Sequence, residues 1–195
     1  TEDLVTSLDG FSVFFSDKQK SKSWLHIDQN PKNTIYCIQG SYNLLPVSEN
    51  DAGFVVVPKS HKNYNPIVNH NKDWIMCEEE DFIKNSKKLL IPENFFNIFN
   101  SKIIHANEGM KKKVTEINRI TAYISFLPKY LRKSNILDKR IEAYQNSETT
   151  SHWSNKCEIK KYPFGFGKRY ESRGYQKIIS KMENGKIPKE RLEYL

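Results

Sequence analysis

A chain of 195 residues with 37% hydrophobic and 28% charged side chains has the size and balance of one globular domain, able to bury roughly 70% of its unfolded surface without disulfides or a structural metal. No apolar run approaches the ~20 residues that a membrane-spanning helix needs. The formal net charge of +8 permits an acidic substrate, a nucleic acid or a crowded cytosol without choosing among them, and the joint abundance of Lys, Asn and Ile matches the bias of an A+T-rich coding sequence.

From Leu4 to Phe15 the apolar pattern predicts a short helix or loop leading into a strand, and Ser16 to Ser23 a polar connection. A strand-like run opens at Trp24-Leu25-His26-Ile27-Asp28-Gln29. A second strand is expected in Ile35–Leu45, closed by Pro46 and the turn-prone Ser48-Glu49-Asn50-Asp51. Gly53-Phe54-Val55-Val56-Val57-Pro58 is a continuous apolar run stopped by proline, as in a buried strand of a barrel or sandwich. A polar insertion with Tyr64, Trp74 and Phe82 occupies 63–86, and Glu78-Glu79-Glu80-Asp81 suits a helix start, where carboxylates meet the positive end of the dipole.

Leu89–Pro92 and Phe95–Phe99 read as short strands around a turn. A further β-branched run ends in Ile103-Ile104-His105-Ala106-Asn107, Lys111-Lys112-Lys113 reads as a hairpin tip, and Arg119–Phe126 alternates as a strand closed by Pro128. Beyond residue 129 the character changes: Lys129–Gln145 has helical spacings, Ser147–Ser154 is loop-like, Pro163–Gly167 interrupts regular structure, and a last helix is expected from about Tyr175 to Leu192. One domain is expected over 1–195, with a β-barrel core at about 24–127 and helical or irregular elements over 129–195.

In an extended strand alternate side chains share a face, so His26 and Asp28 project together, away from Leu25 and Ile27. An imidazole beside a carboxylate supplies two of the three ligands of the 2-His-1-carboxylate arrangement that suits non-haem Fe(II). His105, on a strand far along the chain, is the candidate third. His61 also ends a strand but belongs to a Pro-x-Ser-His turn, and His70 and His152 sit in polar segments with no evident partner.

The order of these parts resembles the phytanoyl-CoA dioxygenase family of Fe(II)- and 2-oxoglutarate-dependent oxygenases. The resemblance rests on His26-Ile27-Asp28-Gln29, Gln39-Gly40, Gly53–Lys62, Ile104-His105-Ala106-Asn107 and Arg119-Ile120-Thr121, and covers roughly 24–127. It implies a mainly β fold, a cupin-like jelly roll or double-stranded β-helix with appended helices, in which His26, Asp28 and His105 hold Fe(II). It implies 2-oxoglutarate and O2 as cosubstrates, with Arg119 and Thr121 receiving the distal carboxylate and Asn107, Gln39 and Tyr42 lining the cosubstrate pocket. The carboxylate at Asp28, where related halogenating enzymes have a small residue, points to hydroxylation of a C–H bond with release of succinate and CO2, on a small-molecule or acyl-type substrate. The chain departs from the family in having Lys59 where glycine commonly precedes Ser-His, in lacking an aspartate shortly before His105, in a slightly long interval from His105 to Arg119, and in a short region before His26.

The competing expectation is a catalytically silent jelly roll that binds nucleic acid or another anionic partner through Lys111–Lys113 or through Lys160-Lys161 with Tyr162 and Phe164. The three cysteines, Cys37, Cys77 and Cys157, odd in number and without a Cys-x-x-Cys, fit reduced thiols in the cytoplasm. Thr1 to Gly10 lack the basic stretch and apolar core of a secretory leader.

Overall fold

The computed structural model describes residues 3–14, 24–62, 71–111, 117–146 and 148–160. The connection at 16–23, part of the 63–86 insertion with His70, Lys112-Lys113, and everything expected over 161–195 lie outside the described residues. In chain order the elements are β1 (Leu4–Thr6), β2 (Phe11–Phe14), β3 (His26–Ile27), β4 (Ile38–Asn43), β5 (Gly53–Val56), β6 (Ile75–Met76), α1 (Glu80–Asn85), β7 (Lys87–Lys88), β8 (Phe95–Asn100), β9 (His105–Glu108), β10 (Arg119–Pro128), α2 (Leu137–Gln145), β11 (Thr149–Thr150) and β12 (Ile159–Lys160). The chain divides into two compact units, Phe11–Tyr123 and Thr1–Gly10 with Ile124–Leu195.

Within Phe11–Tyr123 two antiparallel sheets are built from strands that alternate between them along the chain. One sheet joins β10, β4 and β8, with β2 running along Arg119–Ala122; the other has the order β6-β3-β9-β5-β7. β3, β5, β7 and β9 fall in one sheet and β2, β4, β8 and β10 in the other, which is the strand distribution of a double-stranded β-helix. The fold is mainly β, as the short alternating runs predict.

Parity decides what each face of the second sheet carries. Leu25, Ile27, Val55, Val57, Ile75, Cys77, Ile104 and Ala106 form one buried cluster, with Phe82 of α1 packed against it. These are the residues between the polar ones, so His26, His105 and Asn107 point to the opposite face, toward the first sheet. β5 is buried at all four positions because both of its faces are covered. In the first sheet Gly40 is required by a close approach: a Cβ there would stand 2.3 Å from the Phe96 ring and 2.9 Å from the Asn97 carbonyl oxygen.

Buried thiols make this unit sensitive to alkali. Cys37 and Cys77 are each 1% exposed, and burial, the largest cause, pushes both thiols up from 9.0 to about 12. A thiol that ionises more easily unfolded than folded stabilises the fold fully below pH 9 and loses that contribution as pH rises toward 12. The expected cost is about 1.4 kcal/mol per cysteine for each pH unit above 9. Urea titrations at pH 8.5 and 10.5 should show Cys77→Ala losing less stability over that interval than the parent protein, by about half of the cysteine-dependent part.

In the other unit β1 pairs antiparallel with Phe126–Pro128. Ser7 and Ser125 lock this pairing, the Ser7 N–H donating to the Ser125 carbonyl at 2.9 Å and the Ser125 N–H to Ser7 Oγ at 2.8 Å. The helix or loop expected at Leu4 is therefore a strand, too short at three residues to show a period in the sequence. The expected helix over Lys129–Gln145 is regular only from Leu137. Two 3-10 turns precede it, at Lys129–Leu131 and Ser134–Ile136, separated by extended backbone at Arg132 and Lys133. Arg140, within α2, is fully buried and donates to the carbonyls of Thr6 and Lys156; burial lowers its pKa. The segment expected to be a loop at Ser147–Ser154 contains β11, paired with β12.

Candidate metal centre

The pairing of β3 with β9 sets His26 directly opposite His105, both buried. β3 is only two residues long, and Asp28 lies in the bend that follows it. That bend is held from two sides: the Asp28 N–H donates to the Ser101 carbonyl at 3.2 Å, and fully buried Gln29 donates to the Ile35 carbonyl and accepts from Ser101 Oγ, both at 2.5 Å. Asp28 Oδ1 then lies 3.6 Å from His26 Nε2 and Oδ2 3.3 Å from His105 Nε2. Ligand atoms of the three residues all lie within 4.8 Å of one another, and among the described residues this is the one such cluster of His, Cys, Asp and Glu.

The ring orientations identify what the cluster accommodates. His26 Nδ1 is 2.8 Å from the Trp24 carbonyl oxygen and His105 Nδ1 is 2.9 Å from that of Ile103. A carbonyl only accepts, so each Nδ1 carries its proton, and in the neutral ring each Nε2 presents a lone pair. Two such lone pairs and a carboxylate facing one another form a converging set of acceptors, which a divalent cation satisfies. The chemistry of the donors fits a 2-His-1-carboxylate ion. Aromatic rings surround them: Trp24 stacks on His26 at 4.7 Å between centroids, Trp74 stands 5.5 Å from it, and Phe99 and Phe54 flank His105 at 4.8 and 5.4 Å.

Arg119, on the facing sheet, is connected to β9 through Asn107. It is fully buried; Nη1 donates to Asn107 Oδ1 at 2.7 Å and Nε to Asn43 Oδ1 at 3.3 Å. Its Nη2 is buried with no hydrogen-bond partner. Burial lowers its pKa, with Tyr123 opposing, yet a guanidinium stays cationic wherever the protein is folded. Among the described residues no carboxylate pairs with it. The Phe14 ring lies 5.4 Å from the guanidinium carbon.

The structure thus brings His26, Asp28 and His105 together, and joins Arg119 to Asn107. Thr121 donates to Asn43 Oδ1 at 2.7 Å, on the Arg119 side of the barrel. Gln39 is buried on the inner face of β4 with Ser41 and Asn43. Tyr42 is not there: residues three apart in a strand face opposite ways, and its hydroxyl donates at 3.1 Å to Asn94 at an exposed position. The inward residue is its neighbour Asn43, which sequence reasoning missed although it shares the parity of Gln39. Of the basic stretches expected to bind an anionic partner, Lys111 is exposed and ion-paired with Glu49 at 3.3 Å, while Lys112, Lys113 and Lys161 lie outside the described residues.

The turn before β9's neighbour Ser60 explains the lysine where glycine was expected. Val57-Pro58-Lys59-Ser60 closes with a hydrogen bond of 3.2 Å from the Ser60 N–H to the Val57 carbonyl, and Lys59 has φ 62°, the third position of a type II turn, which favours glycine. Ser60 Oγ in turn accepts from the Ile104 N–H at 2.8 Å, next to His105. Lys59 is exposed, so Lys59→Gly should relieve the left-handed strain and stabilise the protein by about 1 kcal/mol after the cost of a looser unfolded chain. A thermal melt should show a midpoint roughly 2–4 °C higher.

A mainly β, double-stranded barrel with a candidate His-Asp-His centre is what the fold and site define. No protein-family model matches the chain, and no curated protein matches it. Among solved structures it is similar to the epimerase SnoN, determined in complex with Fe3+, alpha ketoglutarate and nogalamycin RO, at 13% identity over 61% of this chain and 50% of that one, with a TM-score of 0.43. It is also similar to apo HygX from Streptomyces hygroscopicus, at 14% identity over 66% of this chain and 62% of that one, with a TM-score of 0.42. The chain spans between half and about three-fifths of the length of these two proteins.

Proposed function

We propose that this chain is an Fe(II)- and 2-oxoglutarate-dependent dioxygenase that hydroxylates a C–H bond of a small-molecule or acyl-type substrate, consuming O2 and releasing succinate and CO2. The observation that carries the reading is a pair of features in one barrel: the converging metal-ligand set of His26, Asp28 and His105, and a buried cationic fork at Arg119 with one nitrogen lacking a hydrogen-bond partner. The first asks for a divalent cation. The second asks for an anion, because an uncompensated buried charge is costly. A metal-chelating 2-oxo acid with a distal carboxylate meets both.

His26, Asp28 and His105 would hold the iron, which with the 2-oxo acid supplies the oxidising chemistry. The remaining work belongs to the chain. The carbonyls of Trp24 and Ile103 fix the two imidazole tautomers, and Ser101 and Gln29 fix the bend that aims Asp28. Arg119, steered by Asn43 and Asn107 and flanked by Thr121, receives the distal carboxylate. Phe54 and Phe99 keep water from one side of His105, and Trp24 and Trp74, both partly exposed, offer an aromatic rim to an organic substrate. Gln39 lines the inner wall. The unit Phe11–Tyr123 would be the core of a single oxygenase domain, of the phytanoyl-CoA dioxygenase type, and three free thiols favour a cytoplasmic setting.

The test is anaerobic addition of Fe(II) and 2-oxoglutarate. A weak visible charge-transfer band, together with succinate formation when O2 is admitted, is expected; absence of both would favour the catalytically silent jelly roll that binds an anionic partner.

A further inference from the structure

We infer that Trp24 is a positioning residue that ties the imidazole of His26 to the buried guanidinium of Arg119 through Asn107; the inference deepens the function proposed above and rests on it for the metal ion. Trp24 stands two residues before His26, at the entry to β3. Three contacts leave it in two directions. Its carbonyl oxygen lies 2.8 Å from His26 Nδ1, its ring stacks on the His26 ring at 4.7 Å between centroids and 29° between planes, and its indole Nε1 donates to the Asn107 carbonyl at 2.6 Å.

The indole bond takes a place that strand pairing would otherwise fill. On the β5 side the Ile104 carbonyl of β9 accepts from the Val57 N–H at 2.8 Å, so by alternation the carbonyls of His105 and Asn107 face β3. The pairing of His26 with His105 sets Trp24 opposite Asn107, yet β3 begins only at His26. The Asn107 carbonyl thus receives a side-chain N–H where the next backbone donor of the ladder would stand. One ring both closes β3 onto β9 and covers a face of the His26 imidazole. Trp24 is 36% exposed, so the hydrogen bond, more than burial, keeps the ring in that position.

Asn107 carries the contact across the barrel. Its main chain is held by Trp24, and its side-chain Oδ1 accepts from Arg119 Nη1 at 2.7 Å. The path from His26 through Trp24 and Asn107 to Arg119 therefore links the metal-holding end of the site to its cationic end by packed or hydrogen-bonded contacts at every step. Trp74 supplies an internal comparison, because it too stands beside His26, at 5.5 Å, while the indole bond to Asn107 belongs to Trp24.

The test uses the full chain, Trp24→Phe, which keeps a ring and loses the N–H, Trp24→Leu, which loses both, and Trp74→Phe. Each is titrated with Co(II) alone, and hydrogen exchange at the Arg119 guanidinium is followed by NMR in the metal-free protein, at a temperature where thermal melts show every variant folded. Lower stability alone moves neither reading there. Trp24→Leu should bind Co(II) at least roughly 10-fold more weakly than the parent, as for groups that orient a metal ligand, with Trp24→Phe in between. Exchange at Arg119 should be roughly 5-fold faster in both Trp24 variants, matching the loss of one hydrogen bond, and unchanged in Trp74→Phe. If Trp24→Leu does not fold, weaker Co(II) binding and faster Arg119 exchange in Trp24→Phe carry the inference. Parental Co(II) affinity in the folded Trp24 variants, parental exchange at Arg119 in either of them, or equal acceleration in Trp74→Phe would overturn it. Neither reading involves 2-oxoglutarate, so a parent protein that binds Co(II) and ignores 2-oxoglutarate would sink the oxygenase function and leave the Trp24 link standing, whereas one that does not bind Co(II) would overturn both.

Discussion

Asp28→Ala is expected to weaken divalent-metal binding by well over 100-fold and to abolish 2-oxoglutarate turnover. Removing a group that only orients a ligand typically costs 10–100-fold, and in the proposed centre Asp28 would itself be a ligand, the anion between two imidazoles at 3.6 and 3.3 Å. Its loss leaves two neutral nitrogens, too few to fix an octahedral ion. Thermal melts separate this from misfolding. At a metal concentration 100 times the dissociation constant, binding to the parent protein adds about 2.7 kcal/mol, or roughly 5–10 °C for a chain of this size. The variant should melt as a folded protein and show no such rise. A metal-dependent rise of the same size in Asp28→Ala would remove the triad from the account.

Arg119→Leu carries the second large effect, on 2-oxoglutarate and not on the metal. Truncating one partner of a buried, hydrogen-bonded charge pair costs about 2–5 kcal/mol, so affinity for 2-oxoglutarate should fall at least roughly 30-fold while Fe(II) affinity measured alone stays unchanged. Without ligand the variant should be destabilised by no more than about 1 kcal/mol: it forfeits the bonds to Asn43 and Asn107 but also sheds a buried cation that lacks an anion, and these offset each other. Arg119→Lys keeps the charge and loses the fork, so it should fall between the two. Calorimetry with 2-oxoglutarate and with metal alone reads both arms. Unaltered 2-oxoglutarate affinity in Arg119→Leu would refute the assignment of its role.

What could be read in the sequence follows from which interactions are local. His26 and Asp28 are two residues apart, so a period of two suggested one face; the strand ends at Ile27, and what brings Asp28 beside His26 is the bend held by Ser101 and Gln29. His105 was legible because Ile104 and Ala106 bracket it with the apolar alternation of a buried strand. The pocket lining was less legible, and one miss was avoidable: Gln39 and Tyr42 are an odd number of residues apart and cannot share a face, whereas Gln39 and Asn43 can. The amide chain from Arg119 through Asn43 to Asn97 had no signal at all, since it is made across β10, β4 and β8 and asparagines are common throughout this chain. Lys59 misled in the other direction. The glycine-like backbone is there, but it is held by Pro58 and by the tertiary contact of Ser60 rather than by the residue at the turn.

The composition of the donor cluster has a practical corollary. Two nitrogens and one carboxylate oxygen, with no thiolate, rank first-row ions in the usual order, so copper, nickel and zinc outcompete ferrous iron for the same position. On the proposed iron-dependent reading, protein purified over a nickel resin, or grown in zinc-rich medium, would carry an inert ion and look catalytically dead. Stripping with a chelator and anaerobic reconstitution decide whether a negative assay describes the polypeptide or merely its history.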